Sequence, residues 1–441
     1  MRARRYCYGV VRRFISLSNG NMSVLMALTM PMFVGAAGLG FEVSNWLMTQ
    51  RAMQNAADAA AMAASTNGGL FYAPEAKAVA AQYGYTSGTN GISVTASNAA
   101  ACPAGGNNCY SVTITGAVPL YLSPVVGYTG DTTVNGQKEK TITATAIATQ
   151  VTTPRQYCIL ALASSGVEGI RTNGNPKANL AGCNTMSNTT STCNGHNLNA
   201  DFGDAHGTNN GCGNVETSNV PVVVDPYSGL AANIPADPCA GSYPQEPAKK
   251  NGSPLPASNQ WSGTKSWSGN KVICGDLQLT GNTTINSLSG VLVIENGQLD
   301  TNGYTLQTSV GSAVTVVFSG SNGAYTHAPT GGGTLDLTAP TSGKWSGTAL
   351  YQDPKLTSGV DISAAGNSPT WDITGLVYLP HSSVTFSGAV NKSSNGQSCF
   401  AIVVDNITIN GTGSILDHGG CAAAGLNMPT GNVPTRGQLV G

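Results

Sequence analysis

The stretch QRAMQNAADAAAMAAS, at Gln50–Ser65, is half alanine and carries only two charged residues. Alanine has the highest intrinsic helix propensity, so these residues predict a helix. The segment STNGG, at Ser65–Gly69, ends on two glycines and predicts the end of that helix. The stretch follows directly on a long uncharged run, so the helix is expected to continue out of an apolar segment.

One face of the predicted helix is apolar or small. Residues on it are spaced alternately by four and three, at Leu39, Val43, Trp46, Gln50, Met53, Ala57, Ala60 and Ala64. This spacing places them on a single stripe. Two interpretations are open: the stripe covers the chain's own sheet, or it packs against a partner or a second copy. In the second case the partner-facing residues are Trp46, Met53, Ala57, Ala60 and Ala64.

The uncharged run before this helix covers 28 residues, Phe14–Phe41. At ~1.5 Å per residue, about 20 residues cross the ~30 Å hydrocarbon layer of a bilayer. Five arginines precede the run, and the nearest charge after it is Glu42. The positive-inside rule therefore predicts a basic cytoplasmic N-terminus (1–13), a transmembrane helix (14–41) and a stalk helix outside (42–65).

Two other classes of N-terminal segment fit the apolar run less well. A cleaved secretory signal needs a shorter apolar core and a small-x-small site, which GAAGLG at Gly35–Gly40 would supply. The apolar run is long for such a signal, so an uncleaved anchor is favoured. A type IV prepilin would have a glutamate five residues after the glycine that opens its apolar run. Here Gly20 is followed at that distance by Leu25, so the prepilin pattern fails.

The composition indicates a turn-rich β protein. The chain has 441 residues, a net charge of -1 and a charged fraction of 9%, against roughly 25% in an ordinary globular domain. This charge balance argues against a nucleic-acid-binding surface. The 56 glycines alone would also fit a disordered chain, but valine, isoleucine and threonine recur in short runs through the second half.

The cysteines predict an oxidising compartment. There are eleven: Cys7 precedes the apolar run and ten follow it, without a C-x-x-C motif. An even set on one side of a membrane is typical of disulfides rather than of reduced thiols. The hypothesis is sequential pairing, which joins Cys102–Cys109, Cys158–Cys183, Cys193–Cys212, Cys239–Cys274 and Cys399–Cys421.

The segment GNMSVLMALTMPMFVGAAGLGFEVSNWLMTQRAMQNAADAAAMAAS, at Gly20–Ser65, resembles the start of TadG-like proteins of the TadE/TadG group. The shared marks are the Gly-Asn opening, the proline in the apolar run, its glycine-rich end, and the alanine-rich segment Gln54–Ala61. The resemblance implies a component of bacterial tight-adherence (Flp) pilus assembly that is anchored in the inner membrane. It also implies that the partners are other pilus-assembly proteins or a second copy, with the large C-terminal part periplasmic or extracellular.

Two folded regions are expected after the helix. Residues 66–152 predict a small α+β module, because strands with alternating apolar and polar residues follow a helix. Residues 153–441 contain short strands such as VLVIENG and AVTVVFSG, bounded by Gly, Asn and Ser and starting roughly 8–12 residues apart. The low charge favours a right-handed parallel β-helix or related solenoid, and a jelly roll or sandwich is the alternative.

Few residues suggest chemistry, and the sequence predicts no catalytic, cofactor-binding or metal-binding residue. HNLNADFGDAH, at His196–His206, gathers histidines and aspartates, but their spacing matches neither a zinc finger nor an EF-hand loop. A β-helix enzyme that degrades polysaccharides would need converging carboxylates. The available aspartates are Asp300, Asp336, Asp353, Asp361, Asp372, Asp405 and Asp417.

Two tryptophans six residues apart, Trp261 and Trp267, are candidate ligand contacts, because exposed indoles stack on sugar rings or anchor proteins. The simpler interpretation, that they cap the core, is favoured. Three functions follow in order of preference. The first is a non-enzymatic scaffold of pilus assembly, the second is a surface adhesin or glycan-binding protein, and the third is a polysaccharide-degrading enzyme.

Overall fold

The protein is described by a computed structural model that covers residues 21–68, 71–103, 108–247, 252–321, 323–364, 370–386, 399–411, 414–415 and 421–440. The basic N-terminus and residues 14–20 of the predicted membrane segment lie outside the described residues. The chain forms two compact units. Unit 1 comprises Met1–Thr152 and Pro434–Gly441, and unit 2 comprises Thr153–Val433. Unit 2 is therefore inserted in the sequence of unit 1.

Unit 1 begins with one long helix, α1, at Asn21–Asn67 (47 residues). The described part of the predicted membrane segment, residues 21–41, and the alanine-rich stalk are thus parts of one helix, which contains Pro31. Its Ser23–Thr66 portion is long and apolar enough to cross a membrane, judged by length and composition. A shorter helix, α2, follows at Tyr72–Gln82.

The rest of unit 1 is an antiparallel sheet. Its strands are β1 (Ser93–Ala100), β2 (Cys109–Pro119), β3 (Thr132–Val134) and the first part of β4 (Gln137–Ala161). β2 lies between β1 and β4, and β3 pairs with β4 through a two-residue hairpin. Asn135 and Gly136 form that hairpin with φ of 49° and 82°, the left-handed conformation that a tight hairpin turn of this kind requires.

The buried face of this sheet packs against α1. Residues of β2 alternate between more and less buried, as expected for a strand with one covered face. The cluster formed there includes Val112 and Ile114 of β2, Ala144 and Ala146 of β4, and the alanines of α1. Because alanine side chains are small, the helix backbone lies close to the sheet.

Unit 2 is almost entirely β. After the end of β4, its strands follow in chain order: β5 (Glu168–Asn173), β6 (Lys177–Ala178), β7 (Asn184–Ser187), β8 (Thr190–Cys193), β9 (Phe202–Ala205), β10 (Asn209–Asn210), β11 (Val215–Thr217), β12 (Gln260–Ser266), β13 (Asn270–Cys274), β14 (Leu277–Asn286), β15 (Gly290–Glu295), β16 (Leu299–Asp300), β17 (Thr305–Thr308), β18 (Val314–Ser319), β19 (Pro329–Thr330), β20 (Thr334–Thr338), β21 (Thr348–Gln352), β22 (Asp361–Ala364), β23 (Thr370–Phe386), β24 (Phe400–Asn410), β25 (Ser414–Ile415) and the start of β26 (Thr430–Leu439). β26 ends in unit 1.

The strands of unit 2 form a large parallel sheet, and two ladders of neighbours can be followed in it. The first ladder runs β13–β15–β18–β21–β23–β24. It continues from β24 to β4, β7 and β9. The second runs β12–β14–β17–β20–β23. The jelly-roll or sandwich alternative is wrong, because those folds pair antiparallel strands and every register described in unit 2 is parallel.

Strands of the first ladder are covered on both faces, which explains their unbroken apolar sequences. All six residues of β15 are buried, as are all six of β18. Leu292 and Ile294 point into a cluster shared with the second ladder. Val291 and Val293 point the other way, into a cluster that includes Val223 and Tyr227. Because both faces of such a strand are buried, its sequence is a continuous apolar run and does not alternate between apolar and polar residues.

Residues 218–247, here called the Pro-rich strap, cover the face of the first ladder to which Val291 and Val293 point. Val223 exchanges two hydrogen bonds with the side chain of Asn188. The hydroxyl of Tyr378 donates to Asp225 at 2.6 Å, and burial raises the pKa of this phenol. The Cys239–Cys274 disulfide fixes the strap to β13. Polar contacts therefore hold the strap over the apolar face.

Candidate membrane anchor and assembly surface

The first part of α1 is uncovered on all sides. From Ser23 to Ala37 every residue is exposed or half-exposed. Its large exposed side chains are Val24, Leu25, Met26, Leu28, Met30, Met32, Phe33 and Val34. A helix that is apolar all round and uncovered by its own chain is consistent with a membrane anchor.

The folded part of unit 1 meets α1 at Gly38. A Cβ on Gly38 would lie 2.9 Å from Cδ1 of Leu122, so a larger residue there would require the Leu122 side chain to shift. One turn further, Glu42 is 1% exposed. Its carboxylate accepts the backbone N–H groups of Tyr121, at 2.5 Å, of Ser123, at 3.1 Å, and of Leu122. These N–H groups precede or open a short 3-10 helix, Ser123–Val126, and would otherwise lack a partner within it.

The predicted partner-facing stripe faces the chain's own sheet. Met53, Ala57, Ala60 and Ala64 are buried in the cluster of unit 1, and Trp46 packs partly buried against it. The prediction that these residues face a partner is therefore corrected: their surface is already covered within unit 1, by a cluster that includes residues of α2, β2 and β4. The other interpretation of the stripe, a helix that covers its own sheet, describes the structure.

The cysteines lie in pairs. Disulfides join Cys102–Cys109, Cys158–Cys183, Cys193–Cys212, Cys239–Cys274 and Cys399–Cys421. All of them lie after α1, the first in unit 1 and the other four in unit 2. Because disulfides persist in oxidising compartments, this arrangement indicates an extracytoplasmic location for the residues that follow the helix.

The tryptophans do not form an exposed platform. Trp261 is 4% exposed, and its indole N–H donates to the carbonyl of Ser258. Trp267 is half-buried, with its ring centroid 5.9 Å from that of Trp261. Trp345 and Trp371 are buried as well. Burial corrects the hypothesis that Trp261 contacts a ligand, because an indole stacks on a sugar only with a free face.

The residues of HNLNADFGDAH make contacts that stabilise unit 2. Asp204 is fully buried, and it accepts hydrogen bonds from Arg155 at 2.5 Å and from the hydroxyl of Tyr157 at 2.9 Å. A nitrogen of His206 lies 2.9 Å from the carbonyl of Val220. Among the residues that the structure describes, no group of three or more His, Cys, Asp or Glu side chains is arranged to hold a metal ion.

Two aspartates lie near Glu246 where the strap meets the second ladder. Burial, together with the charges of Asp300 and Asp276, raises the pKa of Glu246 to about 7. Asp276 accepts the backbone N–H groups of Glu246, at 2.7 Å, and of Gln298, at 3.0 Å. Glu246 can thus hold a proton near neutral pH. The sequence singled out Asp300 but missed Glu246 and Asp276, because no periodic pattern relates the strap to the strands.

Unit 2 also has an open polar groove with a volume of about 730 Å³. Its walls include Thr284, Gln307 and Asp336, which follow one another in register on β14, β17 and β20. The amide of Gln307 donates to Thr284 at 3.2 Å. Leu288 and Val310 are exposed at its edge. The groove therefore offers hydroxyl and amide groups, one of the predicted carboxylates, and two apolar contacts.

Comparisons with known proteins identify one region of the chain. No curated protein and no solved structure matches the chain. The Tad family, described as Flp pilus-assembly TadE/G-like, matches residues 20–81. This range holds the whole of α1 and nearly all of α2. The chain therefore carries a TadE/G-like domain at residues 20–81, which suggests involvement in Flp pilus assembly.

Proposed function

We propose that this protein is a membrane-anchored, non-enzymatic scaffold of Flp (tight-adherence) pilus assembly. The observation that carries the proposal is the TadE/G-like match at residues 20–81, which falls on a helix uncovered from Ser23 to Ala37. In this role α1 anchors the protein in the bacterial inner membrane, and the rest of unit 1 is fixed to the helix where it leaves the membrane.

The orientation follows from charge and from the cysteines. The arginines in residues 1–13 favour a cytoplasmic N-terminus by the positive-inside rule. The five disulfides all follow α1, which supports placing both units in the periplasm or outside the cell. A single pass of α1 through the membrane places the N-terminus in the cytoplasm and the disulfides on the other side.

Unit 2 would act as a rigid binding body. We infer that its parallel ladders belong to a right-handed parallel β-helix, supported by the repeated in-register pairing and by the right-handed preference of parallel crossovers. The partners in this scheme are other pilus-assembly proteins. Because the alanine stripe is covered, they would contact surfaces other than Ala57, Ala60 and Ala64.

Deletion and complementation test the proposal. In the bacterium that encodes the chain, deletion is expected to abolish Flp pili, counted by electron microscopy, and the full chain is expected to restore them. A chain with Phe33→Asp, which places a charge among the exposed apolar residues of α1, is expected to fail because the charge disfavours insertion. The matched control is Asn55→Asp, on an exposed position beyond the apolar run. Normal pili after deletion would refute the role in assembly.

A glycan-binding adhesin is the second candidate, favoured by the polar groove beside Gln307. Its hydroxyl and amide groups suit a neutral sugar polymer, although the buried Trp261 supplies no stacking surface. This function predicts that cells lacking the protein keep their pili but adhere poorly. Gln307→Ala would then weaken binding to a glycan panel, whereas the scaffold proposal predicts no binding to that panel.

A polysaccharide-degrading enzyme is less well supported. Glu246 could hold a proton, but Asp276 accepts the backbone N–H of Glu246, which fixes the strap, and that of Gln298 beside β16. That contact is sufficient to explain why Asp276 is buried. Turnover on the same glycan panel that is lost in Glu246→Gln would favour the enzyme instead.

A further inference from the structure

Glu42 is the first charged residue after the apolar run, yet it does not face the surroundings of the protein. It is buried beneath the loop that begins at Tyr121. On the uncovered side of α1 the surface stays uncharged beyond Glu42, and Phe41, Val43, Leu47 and Met48 are exposed there. The first charged residue of α1 that is exposed after the run is Arg51.

The uncharged surface of α1 is therefore longer than the hydrocarbon layer. Ser23 to Met48 spans 26 residues, or about 39 Å at the ~1.5 Å rise of a helix. The hydrocarbon core is ~30 Å thick and the bilayer with its headgroups is ~40–45 Å. The excess corresponds to the headgroup region, so the end of the uncharged surface, which includes the exposed Ser44, is expected within it.

A loop of unit 1 lies beside this part of the helix. Tyr121 is 66% exposed and Leu122 is 43% exposed. Leu122 touches the helix at Gly38, and both backbone N–H groups bond to Glu42. Two apolar side chains are thus held, uncovered, at the level where the helix surface is still apolar.

The surrounding residues have the chemistry of a membrane interface. The ring of Trp46 lies 5.8 Å from that of Tyr128, at the other end of the loop. Tyrosine is enriched at the headgroup level because its ring has an apolar body and a polar edge, whereas the indole N–H of Trp46 is buried within unit 1. Exposed Lys138, whose carbonyl accepts the N–H of Leu120, adds a cation that suits lipid phosphates.

We propose that the loop at residues 120–128 lies in the outer headgroup–acyl boundary of the membrane that α1 crosses, with Tyr121 and Leu122 in contact with phospholipid. Glu42 is the buried acceptor that fixes the loop at this depth. The occupant of this apolar surface is lipid, because the surface is continuous with the exposed apolar face of the anchoring helix. The proposal rests on the proposed membrane anchoring, and it adds a second membrane contact that orients unit 1.

Photo-crosslinking of the full chain tests it. The protein is reconstituted in vesicles of phosphatidylethanolamine and phosphatidylglycerol, with p-benzoylphenylalanine at position 121, and adducts are identified by mass spectrometry. Tyr83 is the matched negative control, since it is an exposed tyrosine of unit 1 that follows α2. Phe33, exposed within the apolar run, is the positive control for anchoring.

The proposal expects phospholipid adducts at positions 121 and 33 and several-fold fewer at position 83. Adducts at position 33 without adducts at position 121 would overturn the loop contact and leave the anchor intact. Protein adducts in place of lipid at position 121 would also overturn it and indicate a protein partner. Failure at both positions, with the protein absent from the vesicles, would refute the anchoring itself.

A second variant tests the role of Glu42. Glu42→Ala removes the acceptor of the loop's N–H groups. It is expected to lower the lipid adducts at position 121 several-fold while leaving those at position 33 unchanged. Equal adducts at position 121 would show that Glu42 does not set the depth of the loop.

Discussion

Replacement of Glu246 by glutamine is expected to stabilise unit 2 above neutral pH. Burial and the nearby Asp300 and Asp276 raise the pKa of Glu246 from 4.5 to about 7. The folded state therefore binds this proton more tightly than the unfolded state does. The resulting stability is fully present below about pH 4.5, and it is lost as the pH rises through about 7.

The size of the effect follows from the two pKa values. The difference between 4.5 and about 7 is worth at most ~3 kcal/mol of unfolding free energy. Glu246 remains partly exposed, so solvent screening reduces this to about 1–2 kcal/mol. A neutral glutamine avoids the loss at high pH. For a domain of this size, each 1 kcal/mol shifts Tm by about 2–4 °C, so Glu246→Gln should raise Tm at pH 8 by about 2–8 °C relative to its effect at pH 4.5.

The assay is thermal unfolding of the full chain in detergent across pH 4.5–8, followed by near-ultraviolet circular dichroism. The matched control is Glu216→Gln, an exposed glutamate of unit 2 whose glutamine keeps an oxygen for the N–H of Gly211. The control should change Tm equally at every pH. A Tm difference between Glu246→Gln and the parent chain that stays constant with pH would refute the coupling of these carboxylates.

Three further substitutions test the packing and the covalent links. Ala57→Leu should destabilise unit 1 by about 1–3 kcal/mol, because the covered stripe has no room for a larger side chain. Ala52→Leu, on the exposed face of α1, is the control. Equal Tm values for the two variants would contradict the packing of Ala57. Asp204→Ala should cost about 3–5 kcal/mol, since it leaves Arg155 without its buried partner, and an unchanged Tm would count against that ion pair. Cys239→Ser combined with Cys274→Ser removes a disulfide between residues 35 apart in sequence and should lower the unfolding free energy by up to about 4 kcal/mol. The expected readouts are a lower Tm and faster proteolysis of the strap. A strap as resistant to proteolysis as in the parent chain would show that polar contacts alone hold it.

Local sequence patterns predict where the strands lie better than they predict which strands pair with one another. Strands such as VLVIENG and AVTVVFSG are recognisable because a short apolar run ends in residues that favour turns. The structure has β15 in the first of these segments and β18 in the second. The pairing of β24 with β4 is different, because Ile402 lies beside Ile159 across a long sequence separation. Nothing local in either strand specifies that neighbour, since both are apolar runs buried on two faces.

The same distinction applies to the candidate sites. The alanine stripe was visible because helical spacing repeats along one segment, but spacing alone left open whether the sheet or a partner covers it. The structure decides in favour of the sheet, since Ala60 packs in the cluster of unit 1. The group at Glu246 could not be predicted, because it forms only when the strap passes over Asp276 and Asp300.

The proposed loop contact would extend the membrane-facing surface of α1 beyond Glu42. The predicted membrane segment ends at Phe41 because the uncharged run ends there, which treats Glu42 as exposed to water. A carboxylate can instead be satisfied by backbone N–H groups, as Glu42 is by those of Tyr121 and Ser123. Such a residue says nothing about the polarity outside the protein. Depth is then decided by what remains exposed, and here that surface stays uncharged as far as Met48.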